Sequence, residues 1–181
     1  MVGKWRTLSS EKIADLKIFD AYEKVRENPA TGAQGKFVAL DSADWVNIVP
    51  VTSAGNIVMV EQYRHGTDSI VLELPGGLAN RGEEPSIAAA RECAEETGYG
   101  SAEAPVYTGY CLPNPAFLNN KCTSFAWFDC KPLAGQTLDE HEIIDIHEFT
   151  PGQIKSMIEK GEINHGVILT AFFFFFNKFK L

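Results

Sequence analysis

The chain has 181 residues, 45% of them hydrophobic and 22% charged, which fits one soluble globular protein with a sizeable core. Its formal net charge of −8 and the lack of a basic patch exclude a nucleic-acid polyanion as partner, though not a small phosphorylated substrate whose charge a metal would offset. Four cysteines without CxxC spacing read as isolated buried thiols of a reducing compartment, and no charged-then-apolar leader opens the chain, so a cytoplasmic protein is expected.

In chain order, Leu16–Glu27 and Lys36–Asp41 read as two strands around the turn formers Asn28-Pro29-Ala30-Thr31-Gly32. Trp45–Val51 and Asn56–Tyr63 read as a second hairpin around Ser53-Ala54-Gly55, and Ser69–Leu74 as a strand stopped by Pro75-Gly76-Gly77. A helix follows, with Pro85 in its first turn and Gly98 as a left-handed cap. Strands return at Val106–Cys111, Thr123–Cys130 and Ile143–Phe149. Thr150 should cap a helix from Pro151 to near Gly161, and Asn164 a last helix over Gly166–Phe179 with five consecutive phenylalanines. That last run is shorter than the roughly 20 apolar residues of a membrane span, so it is expected in the core or a dimer interface. Strands with helices on both sides predict an α/β protein, a mixed sheet in α/β/α layering, with an antiparallel β-hairpin extension over residues 1–40 and the main domain over 41–181.

On a helical wheel, Ile87, Ala90, Cys93, Ala94 and Thr97 gather on one side, expected to face the sheet. Glu92, Glu95 and Glu96 gather on the other, with Ala88 and Ala89 beside them. A solvated acidic face is the ordinary reading of such glutamates. Here, however, three carboxylates crowd the C-terminal turn, where the helix dipole disfavours negative charge. Hard divalent cations want such clustered oxygens.

Gly77, five residues, Glu83, seven residues and Arg91-Glu92-Cys93-Ala94-Glu95-Glu96-Thr97-Gly98-Tyr99 resemble the Nudix box in full, with Cys93 and Tyr99 at its apolar positions. The resemblance implies the Nudix α/β/α sandwich and metal-dependent cleavage of a pyrophosphate. It makes Glu92, Glu95, Glu96 and the Gly76 carbonyl ligands of Mg²⁺, with Mn²⁺ as an alternative. It also makes Arg91 the partner of Glu83, and an Arg91–Glu95 pair at i, i+4 fits the wheel as well.

Gln62-Tyr63-Arg64 and Glu73-Leu74-Pro75-Gly76-Gly77 look like the ADP-ribose and nucleoside diphosphate sugar pyrophosphatase branch, as does Pro115, sixteen positions after Tyr99. In that branch the arginine matching Arg64 contacts a substrate phosphate, the alternative for Arg64 being a surface residue at a strand end. The resemblance further implies a homodimer that exchanges its N-terminal hairpin. Trp5 and Trp45 are then candidates to stack on a base, core packing being the alternative for each. A glutamate in the loop Lys131–Glu142 is the implied general base, placed at Glu140 with Glu142 second. A non-catalytic ligand-sensing regulator is the rival reading, as is a Nudix hydrolase acting on another nucleoside diphosphate; an isomerase of prenyl diphosphates fits less well, since it needs a catalytic cysteine and glutamate in a different arrangement.

Overall fold

A computed structural model describes residues 2–181. Contacts divide the chain into two compact units, one made of the residues up to Ala43 with Leu112–Asn120, the other of Asp44–Cys111 with Lys121–Leu181.

The first unit is a three-stranded antiparallel sheet of β1 (Arg6–Asp15), β2 (Asp20–Glu27) and β3 (Gln34–Asp41), in that order. The turn between β2 and β3 forms where its residues predict, closed by Asn28 N–H to the Ala33 carbonyl at 2.8 Å. The single strand expected from Leu16 to Glu27 is corrected at its start. Residues 16–19 are a tight turn in which Leu16 N–H bonds the Phe19 carbonyl at 2.8 Å and Lys17 takes a φ of 67°. The hairpin therefore carries a third strand, β1, which has no buried face to mark it in sequence. The segment 112–120 joins this unit because the Leu40 N–H donates to the Phe117 carbonyl at 2.7 Å.

The second unit is a mixed eight-stranded sheet with three helices. Its strands are β4 (Trp45–Thr52), β5 (Ile57–Arg64), β6 (Ser69–Glu73), β7 (Gly76–Leu78), β8 (Tyr99–Gly100), β9 (Val106–Cys111), β10 (Cys122–Pro132) and β11 (Ile144–Phe149). The helices are α1 (Pro85–Thr97), α2 (Pro151–Glu159) and α3 (Gly166–Phe179). The central order is β11-β5-β4-β10-β8, with β6 on β5, β7 on β4 and β9 on β10; β4 and β10 run parallel and the remaining pairs antiparallel.

Period-two alternation explains the layering. Val46 and Ile48 of β4 and Phe125 and Trp127 of β10 pack with Ala88, Ala89 and Cys93 of α1. The alternate residues Val49, Val51 and Ala126 pack with Ile154 of α2 and Ile168, Phe172 and Phe175 of α3. Two core layers thus sandwich the sheet, and β4, covered on both faces, reads as a nearly unbroken apolar run. The phenylalanine run is core, with Phe172 and Phe175 fully buried and only Phe173 largely exposed. Among the described residues no helix is long and apolar enough to cross a membrane.

Thr150 caps α2 as expected, in a reciprocal capping box with Gln153. The cap expected at Asn164 falls one residue later, on His165, whose side chain makes no cap bond. Gly98 ends α1 with φ 69°. A Cβ there would also stand 2.2 Å from the Ala134 carbonyl oxygen. Gly98→Ala should therefore cost about 2 kcal/mol or more, read as a lowered thermal midpoint by circular dichroism. An unchanged midpoint would show that the loop shifts freely.

Candidate active site

The site gathers at the C-terminal turn of α1, beside β7. The wheel places the three glutamates together, but the helix is rolled relative to expectation. Ala88, Ala89, Cys93, Glu96 and Thr97 are its buried positions. Ile87 is 62% exposed and Ala94 is exposed too, so two residues assigned to the sheet-facing side look outward. Glu96 is instead drawn inward to 5% exposure, and accepts a hydrogen bond of 3.0 Å from the Gly76 backbone N–H. Burial, then the charges of Glu92 and Glu142, push the Glu96 carboxyl up to about 8. Burial raises Glu92 as well, against the pull of Arg91.

Arg91 spends all five of its N–H donors here. Nε and Nη2 meet the two Glu83 oxygens at 3.0 and 3.1 Å, and Nη2 also donates to the Leu78 carbonyl at 3.2 Å. Nη1 donates to Glu92 and to Glu95, each at 2.9 Å. The paired guanidinium, with the Asn80 N–H, holds the Glu83 carboxyl down at about 2. Arg91 thus pins the loop before α1 to the acidic face of the helix. Gly77 completes the surroundings, because a Cβ at that position would lie 2.6 Å from Glu92 Oε2.

Among the described residues no three His, Cys, Asp or Glu side chains converge as a cage. Arg91 draws Glu92 and Glu95 to itself while Gly76 draws in Glu96. Mg²⁺ does not require such a cage, since it keeps several waters and binds through one or two carboxylates plus substrate phosphates. The donor set fits it. All the donors are oxygens, and the buried Glu96 carboxylate, disfavoured as an anion, lacks a cation of its own.

Two further carboxylate systems border the cluster. Arg64 at the end of β5 is held by Glu73, Nε to Oε1 at 3.1 Å and Nη2 to Oε2 at 2.5 Å, which leaves Nη1 uncommitted among the described residues. Arg64 is therefore anchored at its strand end, and its side chain remains 44% exposed. The loop after β10 is fastened to the carbonyls that α1 leaves unpaired at its end. Thr137 N–H donates to the Glu95 carbonyl at 2.8 Å, and Gln136 Nε2 to those of Glu96 and Ile144 at 2.8 and 3.0 Å.

Of the two loop glutamates, one has its charge felt at the acidic face of α1. Glu142 stands where its charge raises Glu92 and Glu96 and bears on Arg64, with its own Oε2 accepting the Asp139 N–H at 3.1 Å. Glu140 and Glu142 are both exposed residues of the Asp139–Glu142 turn. Sequence position alone could not separate them.

Trp5 and Pro115 belong to the first unit, where they line a cavity of about 460 Å³ with Lys24, Arg26 and Phe37. Trp5 packs edge-on to Phe37, ring centroids 5.5 Å apart. Trp45 opens β4 in the second unit, its backbone paired with Leu78 and Cys122. Glu73 and Gln136 carry structural weight that sequence reading did not assign them, although Glu73 stands in the quoted Glu73-Leu74-Pro75-Gly76-Gly77 run. Nothing in the sequence marks His165, which meets Glu73 at 3.1 Å.

The NUDIX domain model matches residues 42–172. An ADP-ribose pyrophosphatase of Bacillus subtilis (strain 168) is 30% identical over 87% of this chain and 85% of its own length. An ADP-sugar pyrophosphatase of Mus musculus is 37% identical over 67% of this chain and 59% of its own length. The crystal structure of an ADP compounds hydrolase, 22% identical, superposes with a TM-score of 0.86 over 99% of this chain and 96% of its own, a likeness of fold.

Proposed function

The chain belongs to the Nudix hydrolase family, and from that premise we propose that it hydrolyses the pyrophosphate of nucleoside diphosphate sugars such as ADP-ribose, releasing a nucleoside monophosphate and a sugar phosphate. The observation that carries this reading is the buried, cation-deficient Glu96 carboxylate beside Glu92 and Glu95. The names of the two pyrophosphatase relatives support the substrate class.

Glu92, Glu95, Glu96 and the Gly76 carbonyl would hold Mg²⁺ or Mn²⁺. When bound, the metal would neutralise charge on the phosphoryl oxygens during in-line attack by water. Arg91 keeps Glu92 and Glu95 aligned and, through Glu83, fixes the loop between β7 and α1. Arg64 offers its free Nη1 donors to a substrate phosphate. Glu142 takes the proton of the attacking water, with Glu140 second. Trp5, Trp45 and Pro115 are assigned to contacts with the base or sugar. We place the protein in the cytoplasm, a reading its four free cysteines support.

The test is release of inorganic phosphate when the protein, Mg²⁺ and a phosphomonoesterase are incubated with ADP-ribose, GDP-mannose and ADP-glucose in turn. Binding of these compounds without phosphate release would favour a ligand-sensing regulator instead.

We also propose a homodimer in which the extension 1–40 contributes to the partner's pocket. Leu8, Ile13, Leu16, Ile18, Phe37 and Val38 are exposed apolar residues of that extension, and such surface usually marks an interface. Light scattering at micromolar concentration should report twice the chain mass. A monomer there would remove the dimer.

A further inference from the structure

The buried carboxylate of Glu73 meets two side chains, Arg64 and His165. Its side chain is 3% exposed. Oε1 lies 3.1 Å from Arg64 Nε and 3.1 Å from His165 Nδ1, while Oε2 takes Arg64 Nη2 at 2.5 Å. Burial pushes the Glu73 carboxyl up, but the hydrogen bonds from His165 and Arg64 outweigh it and hold the group below its ordinary range. As an anion Glu73 can only accept, so His165 Nδ1 carries the proton and donates.

His165 is also an odd choice where it stands. It occupies the N-cap of α3 yet makes no side-chain cap bond, at a position where Ser, Thr, Asp or Asn would stabilise the helix. Its ring turns away from the helix N–H groups towards Glu73.

We propose that His165, acting through Glu73, is a positioning residue that fixes the guanidinium of Arg64 for a substrate phosphate. The inference rests on the phosphate role proposed for Arg64. The end torsion of a glutamate is soft, and two donors from one flexible arginine leave the carboxylate free to swing with it. A third donor, anchored on a helix terminus from the far side of the chain, fixes the carboxylate plane. Arg64 then waits in one orientation, and the entropy of ordering its long side chain is spent in folding, before substrate arrives.

Steady-state kinetics with ADP-ribose and Mg²⁺ test this. His165→Leu removes the donor and should raise KM about three- to tenfold, the scale of one hydrogen bond, with kcat within about twofold. His165→Asn places an amide N–H close to the position of Nδ1 and should restore KM. On an Arg64→Ala background, His165→Leu should change nothing further. Equal KM values in His165→Leu and His165→Asn would overturn the proposal, as would a His165→Leu effect confined to the melting temperature or one fully additive with Arg64→Ala. Arg64→Ala separates the two readings. If it raises KM while His165→Leu does not, positioning alone fails; if it leaves KM unchanged, the phosphate role fails and the proposal with it.

Discussion

Glu96→Gln should yield a folded protein whose turnover has fallen by at least about 10²-fold, the scale on which losing one preorganised electrostatic contact to a transition state is felt. The amide keeps an oxygen for the Gly76 N–H, so the hydrogen bond that seats the side chain can survive. What disappears is an ionisable carboxylate at a position only 5% exposed, the group that would meet a metal's charge. Stability should move the opposite way. In the folded chain Glu96 holds its proton up to about 8, against an ordinary value of 4.5. The folded state therefore binds the proton more tightly than the unfolded state. Its contribution is fully present below about 4.5 and is lost as pH rises through about 8, at up to about 1.4 kcal/mol per pH unit. With a chelator present, the wild type should lose thermal stability across that window relative to Glu96→Gln, and the variant should be as stable or more stable at pH 8. Parallel melting curves from pH 5 to 8 would refute the buried, uncompensated charge. Undiminished turnover would remove Glu96 from the metal site.

Glu142→Gln should lower kcat by about 10²–10⁴-fold, the usual contribution of a positioned general base, with KM and metal affinity little changed. The amide oxygen can still accept the Asp139 N–H, so the turn over Asp139–Glu142 keeps its shape. Thr137 and Gln136 hold the loop to the end of α1 independently of residue 142. A loss in Glu142→Gln then reports the missing carboxylate. Glu140→Gln, on the exposed turn, should keep kcat within about twofold of wild type. The reverse pattern would return the base to Glu140, and full activity in both variants would place it outside this loop.

The sequence determined the family of this protein and the helix that carries its box. The box spacing is local: Pro85 and Gly98 bound α1, and the Arg91–Glu95 contact follows from helical geometry alone. The order of strands and helices along the chain likewise announced a sheet with helices on both sides. Only the tertiary structure decided which side of α1 is buried. A wheel gives angles between side chains of one helix, while burial depends on where that helix meets the sheet; hence Ile87 and Ala94 face out and Glu96 faces in. The strand β1 escaped notice because a strand exposed on both faces carries no periodicity and exists only by pairing with β2. The Gly76-Gly77 pair, read as a stop, also serves as β7 because its backbone pairs with β4, and pairing partners distant in the chain leave no local mark. His165 and Glu73 are 92 positions apart, and their meeting is fixed by the packing of α3 against the sheet. The placement of Glu140 and Glu142 is of the same kind, since for two glutamates two positions apart only the path of the loop decides which charge bears on Glu92 and Glu96.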